Sequence, residues 1–159
     1  MSEIRFNGTA HRDFFLENMN KCSVNDSYHR AFFYVMGIAS ETRANINQMF
    51  DFKNDCINPD GMHGGWQTSG TVRVCRLAFN LWNSYTDMDS PQSFTPEDLF
   101  CCEFAPYFYE AIKLRHPEYT DHPPEVSCPS RQGPPADGKP DGTLCALEAN
   151  PTPQAEQHK

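Results

Sequence analysis

Hydrophobic positions along the first 119 residues recur at helical spacing, and the joints between these segments are polar and marked by Gly or Pro. Apolar residues three or four positions apart form one face of an amphipathic helix. No segment alternates apolar and polar residues for long enough to favour a strand. We therefore predict an all-α fold, a compact bundle of about five or six helices.

Capping residues and apolar stripes set the predicted helix boundaries. Asp26 is a suitable N-cap for a helix over residues 27–36, and we expect Gly37 to end it in the left-handed conformation. Asn58-Pro59-Asp60-Gly61 fits a type I turn. The other helices are predicted over residues 10–22, 41–50, 71–85, 95–102 and 105–116.

The segment over residues 71–85 is the most apolar of the predicted helices. Two rows along it are apolar, and its narrow polar row consists of Arg73, Arg76, Asn80 and Asn83. A helix that is apolar over most of its circumference is normally surrounded by other helices. We therefore place it at the centre of the bundle.

Composition changes after Tyr119. Most of the 13 prolines lie in residues 120–159, whereas nearly all aromatic residues lie before residue 110. A segment with so few apolar residues does not bury enough surface to offset the entropy of ordering its backbone. The prediction is a helical domain over residues 1–119 and a disordered, Pro-rich tail over residues 120–159.

Cysteine usage and hydropathy predict the compartment. The chain has seven cysteines, an odd number, and no signal peptide precedes them, so we expect free thiols in a reducing cytoplasm. The longest apolar run, residues 31–38, is far shorter than the ~20 residues of a membrane span. We predict a soluble cytoplasmic protein without a membrane-spanning segment.

The formal net charge of −8 narrows the class of partner. Nucleic acids repel a protein with an excess of acidic residues, because their non-specific affinity for proteins comes mostly from basic side chains that neutralise the phosphates. Residues 27–50 superficially resemble a helix-turn-helix, but bulky Phe33 stands where a small residue is needed. We expect no nucleic-acid binding, and we expect a protein partner with a basic surface.

A glycine-rich loop, Gly64–Thr71, precedes the most apolar predicted helix. It is not a P-loop, because Thr71 stands where the lysine belongs and no buried strand precedes it. A weaker hypothesis is that an anion lies on the helix N-terminus, held by Ser69, Thr71 and Arg73. The alternative is that Thr68 or Ser69 caps the helix and Trp66 packs as a hydrophobic plug.

Arg73 and Arg76 need a neutralising partner, because an unpaired buried charge is costly. Ion pairs with acidic residues are one answer, and the candidates are Glu103, Glu110 and Asp51. A polar ligand pocket is the other answer. An anion- or ligand-binding site would then include Trp66, Ser69, Thr71, Arg73, Arg76 and Asn80.

No motif for metal binding or catalysis is present. The histidines His11, His29, His63 and His116 and the cysteines lack the H-E-x-x-H and C-x-x-C spacings. There is also no G-x-S-x-G nucleophile motif. We therefore predict no metal site, no cofactor and no catalytic residue.

Three segments together resemble a known family: Tyr28–Ile38 (YHRAFFYVMGI), Gly65–Asn83 (GWQTSGTVRVCRLAFNLWN) and Cys101–Tyr119 (CCEFAPYFYEAIKLRHPEY). The resemblance is to an uncharacterised bacterial domain of unknown function, catalogued under the number six-zero-seven-five and found mostly in gut clostridial-type bacteria and their mobile elements. It covers residues 1–119. His116 stands where the family pattern has tyrosine, and the tail is an addition. The resemblance implies no activity, ligand or mechanism.

These observations favour a small cytoplasmic domain that acts by binding and not by catalysis. Its acidic surface would face a protein partner. A specific form of this hypothesis is an accessory or inhibitor protein of a mobile element that docks on a basic host surface. The alternative is a binder of, or enzyme acting on, a phosphorylated or other anionic small molecule at Gly64–Arg76.

Overall fold

The computed structural model describes residues 4–120, which form a mostly helical domain. The predicted tail therefore lies outside the described residues from position 121 onward. No helix in the described part is both long and apolar enough to cross a membrane. The elements in chain order are α1 Thr9–Lys21, α2 Ser27–Met36, α3 Ser40–Ala44, α4 Ile46–Met49, β1 Phe50–Asp51, β2 Cys56–Ile57, a 3₁₀ helix Pro59–His63, α5 Ser69–Asn83, a 3₁₀ helix Pro91–Phe94, α6 Pro96–Phe100, α7 Ala105–Arg115 and α8 Pro117–Thr120.

Helix α2 lies at the centre of the domain. Every side chain from Ala31 to Met36 is fully buried, and α1, α5 and α7 all pack against this helix. A helix that is apolar on all sides is stable in water only when other helices cover all of its faces. We expected α5 to occupy the centre; α5 is largely buried, but it packs on α2 from one side.

The boundaries of α2 are those predicted. The Asp26 side chain caps the helix by accepting hydrogen bonds from the backbone N–H groups of Tyr28 and His29, both at 3.0 Å. Such a cap satisfies two of the donors that the first helical turn leaves without intrahelical partners. The first residues of α2 are therefore held in a fixed position relative to Asp26.

Gly37 ends α2 for a different reason from the one predicted. Its φ is −74°, so the expectation of a left-handed conformation is wrong. A Cβ atom at this position would lie 2.5 Å from Cδ2 of His11 on α1. The position requires glycine because α1 approaches the backbone closely, and not because of the backbone angle.

The predicted helix over residues 41–50 is interrupted at Asn45. Asn45 has φ −108° and ψ 17°, outside the helical range, and its side-chain amide donates to the carbonyl of Glu41 at 2.8 Å beside the backbone hydrogen bond from its own N–H at 3.2 Å. The chain then forms α4, and Phe50 pairs with Ile57 in a two-residue antiparallel hairpin. The predicted turn after the hairpin is confirmed: Gly61 N–H donates to the Asn58 carbonyl at 3.1 Å, and the chain continues as a 3₁₀ helix.

Substitution of Gly37 by alanine tests the close approach of α1. The added methyl group collides with the His11 ring, and overpacking of this kind costs about 1–3 kcal/mol of unfolding free energy. Gly65→Ala is the matched control, because a Cβ there meets no atom within 4 Å. Urea unfolding of both variants measures the difference; equal stability of the two would contradict this packing.

His11 is fully buried and neutral in the fold. Its Nε2 donates to the Tyr34 carbonyl at 2.7 Å, and its Nδ1 accepts from the Asn7 backbone N–H at 3.0 Å. A second ring proton on Nδ1 would point at that N–H donor. Burial, with the positive charge of Arg43 adding to its effect, lowers the pKa of His11 to about 4.

A decrease in pH tests whether His11 is neutral in the native state. Between about pH 6.5 and pH 4 the unfolded chain binds a proton that the native state does not, so native stability falls as the pH is lowered. The expected contribution is about 2–3 kcal/mol. We expect His11→Gln to be less stable than wild type at pH 7 but to lose less stability across this range, in urea unfolding at several pH values. Parallel pH profiles would show that His11 titrates normally.

Candidate functional site

Thr68 caps α5. A cap by Thr68 or Ser69 was the alternative to an anion bound at the start of this helix. The Thr68 hydroxyl oxygen accepts from the Thr71 backbone N–H at 3.3 Å, and the Thr71 hydroxyl oxygen accepts from the Thr68 N–H at 2.7 Å. This reciprocal pair satisfies two donors at the helix start. The Thr71 hydroxyl is therefore already occupied within the loop.

The structure brings three of the six predicted ligand-binding residues to one cavity. Ser69, Thr71 and Arg73 border a cavity of about 430 Å³ at the start of α5. Glu41 and Glu103 border the same cavity. Their carboxylates repel an anion, so the geometry does not strengthen the anion hypothesis, which stays a prediction.

Arg73 and Arg76 form ion pairs with an acidic residue, but the acids named from the sequence were the wrong ones. Both guanidinium groups face the carboxylate of Asp98, at 3.5 Å and 3.7 Å respectively. Arg73 Nε also donates to the Asp98 backbone carbonyl at 2.7 Å. Thr95 caps α6 and thereby places Asp98 in the first turn of that helix, beside α5.

Trp66 and Asn80 do not border that cavity. The half-buried Trp66 ring packs so closely on Gly64 that a Cβ there would lie 2.2 Å from its Nε1. The Asn80 side chain donates to the Tyr85 carbonyl at 3.3 Å, near the end of α5. The six predicted residues therefore do not converge on a single site.

A groove lies between α1 and α7. Both helices pack on α2 and make few direct contacts with each other. The space between them has a volume of about 390 Å³. Its apolar lining consists of Ile4, Phe15, Leu16, Met19, Leu114 and Pro117.

Polar side chains surround this apolar lining. Glu110, only 7% exposed, pairs with Lys113 at 2.5 Å. Arg30 donates from Nε to the side-chain oxygen of Asn25 at 2.7 Å, and its remaining guanidinium nitrogens have no hydrogen-bond acceptor within the described part of the chain. An apolar floor with a few polar groups at its rim is typical of binding sites.

This groove was not predicted from the sequence. Helical spacing places Phe15 and Met19 on one apolar stripe of the first helix, but a stripe indicates only that a helix face is covered. The signal in the sequence was Leu16, an apolar residue beside that stripe, and in the structure it is 44% exposed. The gap itself depends on how two distant helices pack on α2, which hydrophobic spacing does not encode.

Two cysteines have thiols that are poor nucleophiles at neutral pH. Burial raises the pKa of Cys75 to about 12. Burial, together with the negative charges of Asp55 and Asp26, raises the pKa of Cys22 to about 11. Since the thiolate is the reactive form, only a small fraction of each of these two thiols is reactive at neutral pH.

Comparison with known proteins gives a family but no activity. No curated protein and no solved structure matches the chain. The profile of a family of unknown function matches residues 1–127, which include every residue described above and extend past the predicted boundary at residue 119. The chain therefore belongs to the family of unknown function DUF6075.

Proposed function

We propose that this domain is a non-catalytic module that binds a protein partner, and that an apolar side chain of the partner occupies the groove between α1 and α7. The observation that carries this proposal is the groove itself, which has an apolar floor and an exposed rim. Apolar surface left in water is unfavourable by roughly 25 cal/mol per Å². Covering the groove would recover that free energy.

A tyrosine, one of the residue types that are enriched at protein interfaces, lies near the groove. Leu16 is 44% exposed at its edge, and Tyr109 is 61% exposed on α7. Lys113, which lines the groove, lies with its Nζ 5.6 Å from the centre of the Tyr109 ring. Exposed tyrosine and arginine next to an apolar pocket are common binding hot spots.

Charge supports the choice of a basic partner. The chain carries a formal charge of −8, which attracts a positively charged protein at long range and speeds its association. An accessory or inhibitor protein of a mobile element that docks on a basic host protein fits this requirement. Because salt screens such attraction, an affinity that does not change with ionic strength would contradict the electrostatic part of the proposal.

Arg30 favours a second candidate function, the binding of a small amphipathic carboxylate. The groove volume of about 390 Å³ is within the range of small-molecule pockets, roughly 300–1,000 Å³. The partly unoccupied guanidinium of Arg30 provides the geometry for a bidentate contact with a carboxylate. This site would replace the loop at Gly64–Arg76 as the place where an anionic ligand binds.

Substitution of Leu16 by aspartate tests the groove as a protein-binding surface. The side chain is partly exposed, so the fold tolerates the change, but a charge on the groove wall disfavours an apolar occupant. Met88→Asp is the matched control, because Met88 is 88% exposed and does not line the groove. We expect a partner of the full-length chain to bind the Leu16 variant at least about tenfold more weakly and the Met88 variant normally.

The measurement is affinity capture from cells that express the immobilised wild type or either variant, followed by titration of each retained protein in purified form. A protein that depends on Leu16 but not on Met88 supports the proposal. Retention of the same proteins by all three baits would contradict it. If dodecanoate instead raises the Tm of wild type but not of Arg30→Gln, the small-molecule candidate is favoured.

A further inference from the structure

A cluster of metal-ligating side chains lies apart from the groove lining. It joins Cys22 at the end of α1, His29 in the first turn of α2 and Asp55 in the turn between β1 and β2. One potential ligand atom from each residue lies within 4.8 Å of the other two. The three residues come from separate parts of the chain, so no short sequence motif indicates the cluster.

Contacts of both ring nitrogens with carboxylates fix the orientation of the His29 ring. Its Nδ1 lies 2.8 Å from Oδ1 of Asp26, the residue that also caps α2. Its Nε2 lies 2.9 Å from Oδ1 of Asp55. The ring is 4% exposed and packs edge-on against Trp82, with 4.8 Å between ring centres.

The contacts of the His29 ring with two carboxylates require a positive charge at this position. A carboxylate only accepts hydrogen bonds, so the two short contacts require a hydrogen on each ring nitrogen or a cation in place of one of them. The carboxylates of Asp26 and Asp55 both contact this one buried ring, so the environment attracts a cation.

We propose that Cys22 Sγ, His29 Nε2 and Asp55 Oδ1 bind one zinc ion. A sulfur, a nitrogen and an oxygen donor together suit zinc and do not suit calcium or magnesium, which prefer oxygen ligands. Ligand atoms around tetrahedral zinc lie about 3.3–3.8 Å apart. The observed atoms, 2.9 Å apart for the His29–Asp55 pair and all within 4.8 Å, reach that geometry by small side-chain movements.

Asp26 acts as a positioning residue in this site. It accepts the Nδ1 proton of His29 and leaves Nε2 for the metal, which is the carboxylate–histidine–metal arrangement of many zinc sites. Zinc displaces the Nε2 proton of His29 and the thiol proton of Cys22, and both protons pass to the solvent. Asp55 and Cys22 are both partly exposed, so a water molecule completes the tetrahedral coordination.

Zinc binding to the purified, untagged full-length chain tests the site. The chain is treated with chelator, reloaded with zinc and titrated against a chromophoric zinc indicator. Cys22→Ala removes a ligand, and Cys56→Ser is the matched control because Cys56 is an exposed thiol next to Asp55 and outside the cluster. We expect one zinc per chain for wild type and Cys56→Ser, and at least a tenfold weaker affinity for Cys22→Ala and for Asp55→Asn.

Cobalt(II) gives an independent spectroscopic readout. We expect a thiolate-to-cobalt absorption band in wild type and in Cys56→Ser, and no such band in Cys22→Ala. Asp26→Asn keeps a capping oxygen and all three ligands, so the band remains while zinc affinity falls roughly 10–100-fold. This combination separates a positioning role of Asp26 from a purely structural one.

Two results would overturn the proposal. Equal zinc affinity of wild type and Cys22→Ala would place the metal on other histidines and cysteines of the chain. Absence of zinc binding at micromolar concentrations would show that the cluster is a protonated histidine held between two carboxylates. Neither result bears on the groove, because no residue of the cluster lines it.

Discussion

The six side chains of Ala31–Met36 are all removed from solvent, and most of the architecture follows from covering them. Helices α1, α5 and α7 surround this segment of α2. Contact between α1 and α2 is close enough that Gly37 has no room for a side chain and His11 loses its water. A buried imidazole is stable in this position because both of its nitrogens have backbone partners.

The same helix positions both proposed sites. His29 and Arg30 are neighbours in sequence, and consecutive residues of an α-helix point about 100° apart. His29 therefore lies towards the β1–β2 hairpin, where it meets Asp55, while Arg30 lies at the groove beside α1. Because Asp26 fixes the first turn of α2, it determines the placement of both side chains.

Local features of the sequence predicted local features of the structure well. The bounds and cap of α2, the capping of α5 by Thr68 and the turn at Asn58–Gly61 were all read from neighbouring residues. Features that depend on distant segments were missed. Asp98 neutralises Arg73 and Arg76 only because α6 folds back onto α5.

The prediction that α5 lies at the centre of the domain was also wrong, because α2 lies there. An uninterrupted apolar run at residues 31–38 was measured against the length of a membrane span, but it also marks a helix that is covered on every side. The prediction of the central helix relied instead on the two apolar rows of α5. The groove and the Cys22–His29–Asp55 cluster lie between segments far apart in sequence, so hydrophobic periodicity contains no information about them.

Native-state hydrogen exchange tests most directly the claim that α2 is the helix on which the domain is built. Amide groups of residues 32–36 should exchange only through global unfolding, with protection that matches the free energy of unfolding measured in urea. Amides of α1 and α7 near the groove should exchange faster, through local opening. Faster exchange in α2 than in α1 or α7 would contradict the account.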